Sequence, residues 1–171
     1  AHRGPDDQGA HLSGNCALAH ARLAVIDPEH GRQPMSLPYG GQEVTIAYNG
    51  EIYNAPELRS QLESRGFSFQ TDCDTEVVLA AYLCYGPDCA QKLNGIYAFA
   101  VDDPVNHRTF LCRDRFGVKP LFYTLQNGKL AFGSEIKALF EFPGVHPVVG
   151  REGLCEIFGL GPARTAGCGV F

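Results

Sequence analysis

Along most of this chain, apolar and polar residues change places over short runs. Runs of strand type fall at 16–20, 44–48, 96–101, 108–112, 121–125 and 129–132. Many short strands predict antiparallel sheet. Between the last two runs, Asn127-Gly128 supplies the positive φ angles of a tight type I′ hairpin turn. The cluster of turn formers at 103–107 predicts a second hairpin between two more runs.

Two segments carry helical spacing instead. Over 56–65, Leu58 and Leu62 share a face, Asn54 stands as N-cap with Glu57 as its reciprocal partner, and Gly66 follows the end. The next helix, 75–85, opens after Asp74 and closes at Gly86-Pro87; it is apolar over most of its surface, which predicts burial between layers. Short helices are expected at 134–139 and 151–158, followed by a glycine-rich stretch at 159–169 that reads as a linker. Strands and helices segregate, which predicts an α+β fold of antiparallel sheets covered by helices.

With 171 residues, 44% hydrophobic and 19% charged, the chain fits one globular domain and a tail. A net charge of -5 argues against nucleic acid as a partner. The apolar runs are far shorter than the roughly 20 residues a bilayer requires, so no membrane partner is expected. Seven cysteines without a CxxC pair fit reduced, buried thiols and a cytoplasmic location. No charged-then-apolar leader, and hence no secretion, is expected. None of the six histidines forms a metal-spaced pair, and Cys84 with Cys89 makes a poor tetrahedral set, so no metal site is expected. The start at Ala1-His2-Arg3-Gly4-Pro5-Asp6, in a turn-rich string without methionine, leads us to expect a piece of something longer.

Three places carry candidate chemistry. Tyr48-Asn49-Gly50-Glu51 reads as the end of a strand in a turn that displays one amide side chain and one unhindered backbone N–H. Such donors can stabilise an oxyanion; an ordinary Asn-Gly turn is the alternative. Arg22 could hold a carboxylate through its planar fork, or be a surface arginine paired with Asp27. Asp74, at a helix entrance, could receive an ammonium group or serve as an N-cap.

Seven strings then occur in order: RGPD at Arg3 to Asp6, Arg22 to Asp27, Gln33-Pro34, NGEIYN at Asn49 to Asn54, Asp74 to Glu76, RD-x-x-G-x-KPL at Arg113 to Leu121, and SE-x-KAL from Ser134. Together they resemble the glutaminase domain of asparagine synthetases, a class II amidotransferase of the N-terminal-nucleophile hydrolases. The resemblance implies a four-layer αββα sandwich of two antiparallel sheets covered by helices. It implies that Arg22 binds the α-carboxylate of L-glutamine and Asp74 its α-ammonium. Asn49 and Gly50 would form the oxyanion hole, with Leu23, Ala24, Val25, Ile26 and Glu51 lining the pocket.

The implied mechanism is attack by an N-terminal cysteine thiolate on the side-chain amide, loss of ammonia, and hydrolysis of a thioester. The α-amino group, with a pKa of about 8, would serve as base. That cysteine is expected upstream of the RGPD string, and all seven cysteines present read as packing residues, so the chain alone is expected to be inactive. The resemblance divides the chain into an amidotransferase domain at 1–145 and a linker at 146–171 toward a synthetase domain in cis. ATP and magnesium belong to that second domain, and no cofactor to this one. A homodimer is among the assemblies it allows. Arg113-Asp114 and Lys119-Pro120 would face the second domain and help guide ammonia, or form a buried ion pair that shapes a turn, and Ser134-Glu135 would share that role or cap a helix. A noncatalytic amino-acid-binding module and a related synthetase with another acceptor are the competing readings. A sandwich without its nucleophile strand would leave backbone groups and an apolar face exposed, predicting marginal stability.

Overall fold

The strand-type runs form three antiparallel sheets in the computed structural model, which describes residues 4–22, 31–159 and 161. β1 (Asp7–Ser13) and β2 (Cys16–Arg22) make a hairpin. β3 (Met35–Tyr39), β4 (Gln42–Ile52), β5 (Gly95–Asp103) and β6 (Arg108–Arg113) form a four-stranded sheet in that order. β7 (Phe122–Gln126) and β8 (Lys129–Gly133) make a second hairpin. The helices are α1 (Ala55–Glu63), α2 (Asp74–Tyr85), α3 (Ile136–Phe140) and α4 (Arg151–Gly159), with a 3-10 turn at Gly86–Gln91. Two units divide between Leu121 and Phe122.

In the first unit, strand alternation sorts the four-stranded sheet into two faces. Val44, Ile46, Tyr48 and Ile52 of β4 share one face with Tyr97, Phe99 and Val101 of β5, and all are buried. Leu58 and Leu62 of α1 close over that face with Val77, Val78, Leu79, Ala81 and Tyr82 of α2. Each fully buried aliphatic side chain contributes about 1.5–3 kcal/mol. α2 is buried over nearly its whole surface, as its composition predicts.

The other face of the sheet receives the β1–β2 hairpin. His11 Nε2 lies 3.3 Å from Thr45 Oγ1 and 3.8 Å from Asp102 Oδ2. This unit therefore stacks helices, a sheet and a second sheet, the order expected of an αββα sandwich.

In the second unit, Asn127 and Gly128 adopt φ of 52° and 71°, the expected turn between β7 and β8. α3 packs on this hairpin, with Leu139 buried. Among the described residues, no helix is long and apolar enough to cross a membrane.

Several local expectations are corrected. Asn54 precedes α1, but its side chain makes no cap hydrogen bond. It instead accepts from Asn94 N–H at 3.0 Å and donates to the Lys92 carbonyl at 2.9 Å, tying the end of β4 to the approach of β5. α3 starts after Glu135 without a side-chain cap from Ser134 or Glu135. Arg113 and Asp114 do not form the expected ion pair. Exposed Arg113 donates to the carbonyls of Lys119 and Gly117, both at 2.6 Å. Buried Asp114 accepts backbone N–H groups from Tyr97, Phe116, Val118 and Lys119. Burial works to raise the Asp114 carboxyl pKa, and those hydrogen bonds bring it below the ordinary range.

Candidate functional site

Asn49-Gly50 does not lie in a turn. Both residues sit inside β4, opposite Ala98 and Tyr97. This corrects the oxyanion reading's assumed turn and removes the bland turn alternative with it. Glycine is required at position 50 by proximity. A Cβ there would run into the Ile96 carbonyl oxygen and lie 2.6 Å from Tyr97 Cα.

The strand's hydrogen-bonding parity shows which way the Gly50 N–H points. Tyr97 directs both of its backbone groups toward Asp114: its N–H donates to Oδ2 at 3.3 Å, and its carbonyl accepts Asp114 N–H at 2.8 Å. Gly50 and Tyr97 are therefore a non-hydrogen-bonded pair, and the Gly50 N–H points away from β5. Its neighbours of the same parity confirm that direction: Tyr48 N–H donates to Gln33 Oε1 at 2.6 Å, and Ile52 N–H to Asp74 Oδ2 at 3.1 Å. The Gly50 N–H between them has no partner among the described residues. Half-buried Asn49 likewise leaves its carboxamide without a hydrogen bond among the described residues, on the hairpin-facing side of β4 that it shares with exposed Glu51.

Arg22 ends β2, buried at 6% exposure, rather than standing on the surface. Leu18, His20 and Arg22 turn the same side of that strand inward. His11, opposite Leu18 in the hairpin, meets Thr45, and His20 Nε2 lies 3.0 Å from the Tyr48 carbonyl oxygen. β2 thus advances alongside β4, and this progression carries Arg22 toward the Asn49–Ile52 end.

Asp74 is the first residue of α2, while Cys73 occupies the N-cap position without a side-chain cap bond. Capping therefore does not account for Asp74. Its buried carboxylate accepts Tyr48 Oη–H at 2.7 Å and Ile52 N–H at 3.1 Å through one oxygen, Oδ2. Oδ1 has only the Cys73 thiol, at 4.0 Å, among the described residues. The first turn of a helix favours a negative charge there. Glu76, also buried, holds the preceding loop by accepting from Gln70 N–H and from both the N–H and hydroxyl of Thr71.

Three supporting residues are not distinguished by sequence reasoning. Gln33 occurs within a recognised string, Tyr48 directly before one and His20 two residues before another, yet their roles depend on long-range partners. In the β3–β4 register, position 33 falls opposite Tyr48, beyond the end of β3. The Gln33 side chain supplies the acceptor that a longer strand would have supplied, and its amide reaches Thr75 Oγ1 at 3.4 Å. Leu23, Ala24, Val25 and Ile26 lie outside the described residues, as does Asp27.

Cys16, Cys73, Cys84, Cys89, Cys112 and Cys155 are free thiols. Burial pushes Cys89 up to about 12 and Cys112 up to about 11, and also raises Cys16. Those three are poor nucleophiles near neutrality. No group of three or more His, Cys, Asp or Glu side chains that could hold a metal ion occurs among the described residues.

Comparison with known proteins gives the family and the fold. A model of the glutamine amidotransferase domain matches residues 1–168. The chain is 50% identical over 169 residues to the glutamine-hydrolysing asparagine synthetase 3 of Bacillus subtilis (strain 168), covering 99% of this chain and 28% of that protein. It is 41% identical over 140 residues to the glutamine-hydrolysing asparagine synthetase B of Escherichia coli (strain K12), covering 81% of this chain and 24% of that one. Among solved structures, the glutamine phosphoribosylpyrophosphate amidotransferase of B. subtilis superposes with a TM-score of 0.61 at 27% identity, covering 72% of this chain and 28% of that one. The α+β arrangement of antiparallel sheets and helices is that of the N-terminal-nucleophile amidotransferases. The chain belongs to the glutamine amidotransferase domain family.

Proposed function

We propose that this chain is the glutaminase half of an asparagine synthetase, binding L-glutamine at the Asn49–Ile52 end of β4. The observation that carries the reading is the Gly50 N–H, directed to the open edge of β4 beside the unengaged Asn49 carboxamide. Two such donors suit the oxygen on which negative charge grows during attack on an amide. Arg22 would take the α-carboxylate and Asp74 Oδ1 the α-ammonium, with Leu23, Ala24, Val25, Ile26 and Glu51 completing the pocket.

The nucleophile in this proposal is the N-terminal cysteine of the complete protein, and the raised thiols of Cys16, Cys89 and Cys112 support placing it outside the chain. Residues 1–145 would form the amidotransferase domain, and 146–171 would lead toward a synthetase domain that uses ATP and magnesium to amidate aspartate. The names of the matched B. subtilis and E. coli relatives support that acceptor. A cytoplasmic setting is supported by the six free thiols among the described residues, and a homodimer rests on the family resemblance alone.

The test is glutamate release from glutamine by the complete gene product, coupled to asparagine formation. Turnover that is lost in Arg22→Ala and Asp74→Ala supports the proposal. Binding without turnover selects the noncatalytic amino-acid-binding module, and amidation of a different acid selects a related synthetase.

A further inference from the structure

Resting on the glutamine reading above, we infer that Tyr48 is a positioning residue that sets the substrate's ammonium site through Asp74. Tyr48 is 2% exposed, and its ring packs among core aromatics, with its centroid 6.4 Å from that of Phe99. A phenol hydroxyl in such a place requires a partner. It donates to Asp74 Oδ2 at 2.7 Å. Burial, with the Asp74 carboxylate beside it, holds the phenol well above its ordinary pKa, so the proton stays on the tyrosine.

The consequence is an asymmetric carboxylate. Oδ2 is filled by Tyr48 Oη–H and Ile52 N–H, so Oδ1 is the oxygen left to receive an ammonium. The same residue is fixed at its backbone. Its N–H is held by Gln33 and its carbonyl faces His20, two residues before Arg22, while Asn49 follows in the chain. Tyr48 thus joins the strand that carries the oxyanion donors to the side chain that receives the ammonium. The phenol makes this connection from a residue that touches no reacting atom.

The experiment uses the complete gene product with two amides, glutamine and 4-carbamoylbutanoate, which lacks only the α-amino group. Glutamate or glutarate release gives kcat/KM for each. Wild type is expected to prefer glutamine. Tyr48→Phe is expected to raise the KM for glutamine about tenfold, the effect of losing one hydrogen bond to a charged group. Its kcat should stay within about twofold, as expected when uniform binding is removed. Its activity on 4-carbamoylbutanoate should stay at the wild-type level, so the preference ratio falls about tenfold.

An unchanged ratio, or equal losses on both amides, overturns the inference. The ratio is measured within one protein and is insensitive to the fraction folded, so a less stable variant still decides the question. Failure of wild type to hydrolyse glutamine overturns the functional reading itself. A wild type that prefers glutamine beside a Tyr48→Phe variant with the same preference overturns the Tyr48 inference alone.

Discussion

His20 Nε2 lies 3.0 Å from the carbonyl oxygen of Tyr48. A carbonyl can only accept, so the imidazole donates from Nε2 and its buried Nδ1 is left without a partner among the described residues. The contact joins the hairpin bearing Arg22 to the strand bearing Asn49 and Gly50, across two sheets.

That contact should be pH-sensitive. Burial lowers the His20 pKa most strongly, and the Arg22 charge acts in the same direction, while the Tyr48 carbonyl and Asp7 oppose it. A folded-state pKa below the unfolded value of about 6.5 contributes stability that is present above that value and lost as pH falls through the folded pKa. Melting temperature is therefore expected to drop as pH falls below about 6.5. His20→Gln, which keeps a donor without a titrating ring, should flatten that limb, and His20→Leu should lower the melt even at pH 8. A His20→Gln variant with the wild-type acid limb would remove His20 from this account.

Asn49→Ala should lower kcat for glutamine hydrolysis by about 100- to 1000-fold, the range for removing one oxyanion donor. Steady-state kinetics on the complete protein should show KM within about threefold of wild type. A loss confined to KM would mean that Asn49 binds ground-state substrate only.

Gly50→Ala places a methyl group against the backbone of Ile96 and Tyr97, which cannot move aside as a flexible side chain could. The expected destabilisation is about 1–3 kcal/mol, typical of overpacking. Denaturant unfolding reads it directly, and a neutral result would show that β4 and β5 can part at this point.

Asp114 is the hub of the turn after β6. Its depressed carboxyl stabilises the fold above the unfolded value of about 3.9, and that contribution is lost as pH falls through the lower folded pKa. Asp114→Ala leaves four backbone N–H groups without this acceptor and should cost on the order of 2 kcal/mol or more at neutral pH. Thermal melts at pH 7 and at successively lower pH test both statements, since the gap between variant and wild type should narrow as pH falls below about 3.9.

Leu12 is 81% exposed, and Tyr123 and Leu125 are each 69% exposed. Prepared by itself, the 171-residue chain is expected to self-associate through such apolar surface. Light scattering should show this, and Leu12→Glu with Leu125→Glu should reduce it. A monomer stable at high concentration would contradict the expectation.

Strands with strong β-type residues and the Asn127-Gly128 turn are legible from the chain because their causes are local. β1 and β3 are not, because Gln8, Gly9 and Ser13 in one, and Ser36 and Pro38 in the other, weaken the pattern. Their pairing is supplied by β2 and β4. The same distinction holds at the site. Arg22, Asn49, Gly50 and Asp74 are recognisable as chemical types, but the strand setting of Asn49-Gly50 depends on β5, 46 and more residues away along the register from Gly50 to Ile96 and Tyr97. The capping expected of Asn54, and weighed as the alternative for Asp74, fails for a related reason. Each side chain finds its partners far along the chain, Asn54 in the approach to β5 and Asp74 in β4, rather than in its own helix.

Gln33 supports Tyr48 with a side chain where a longer β3 would use main chain. A main-chain ladder can be altered only by shifting a whole strand, which would turn every buried side chain outward. A side-chain support can be exchanged by one codon, leaving the ladder untouched. The rim of the site is thus the part of this fold on which natural variation or directed evolution can act in small steps, retuning the seat of the amide while the sheet beneath is inherited unchanged.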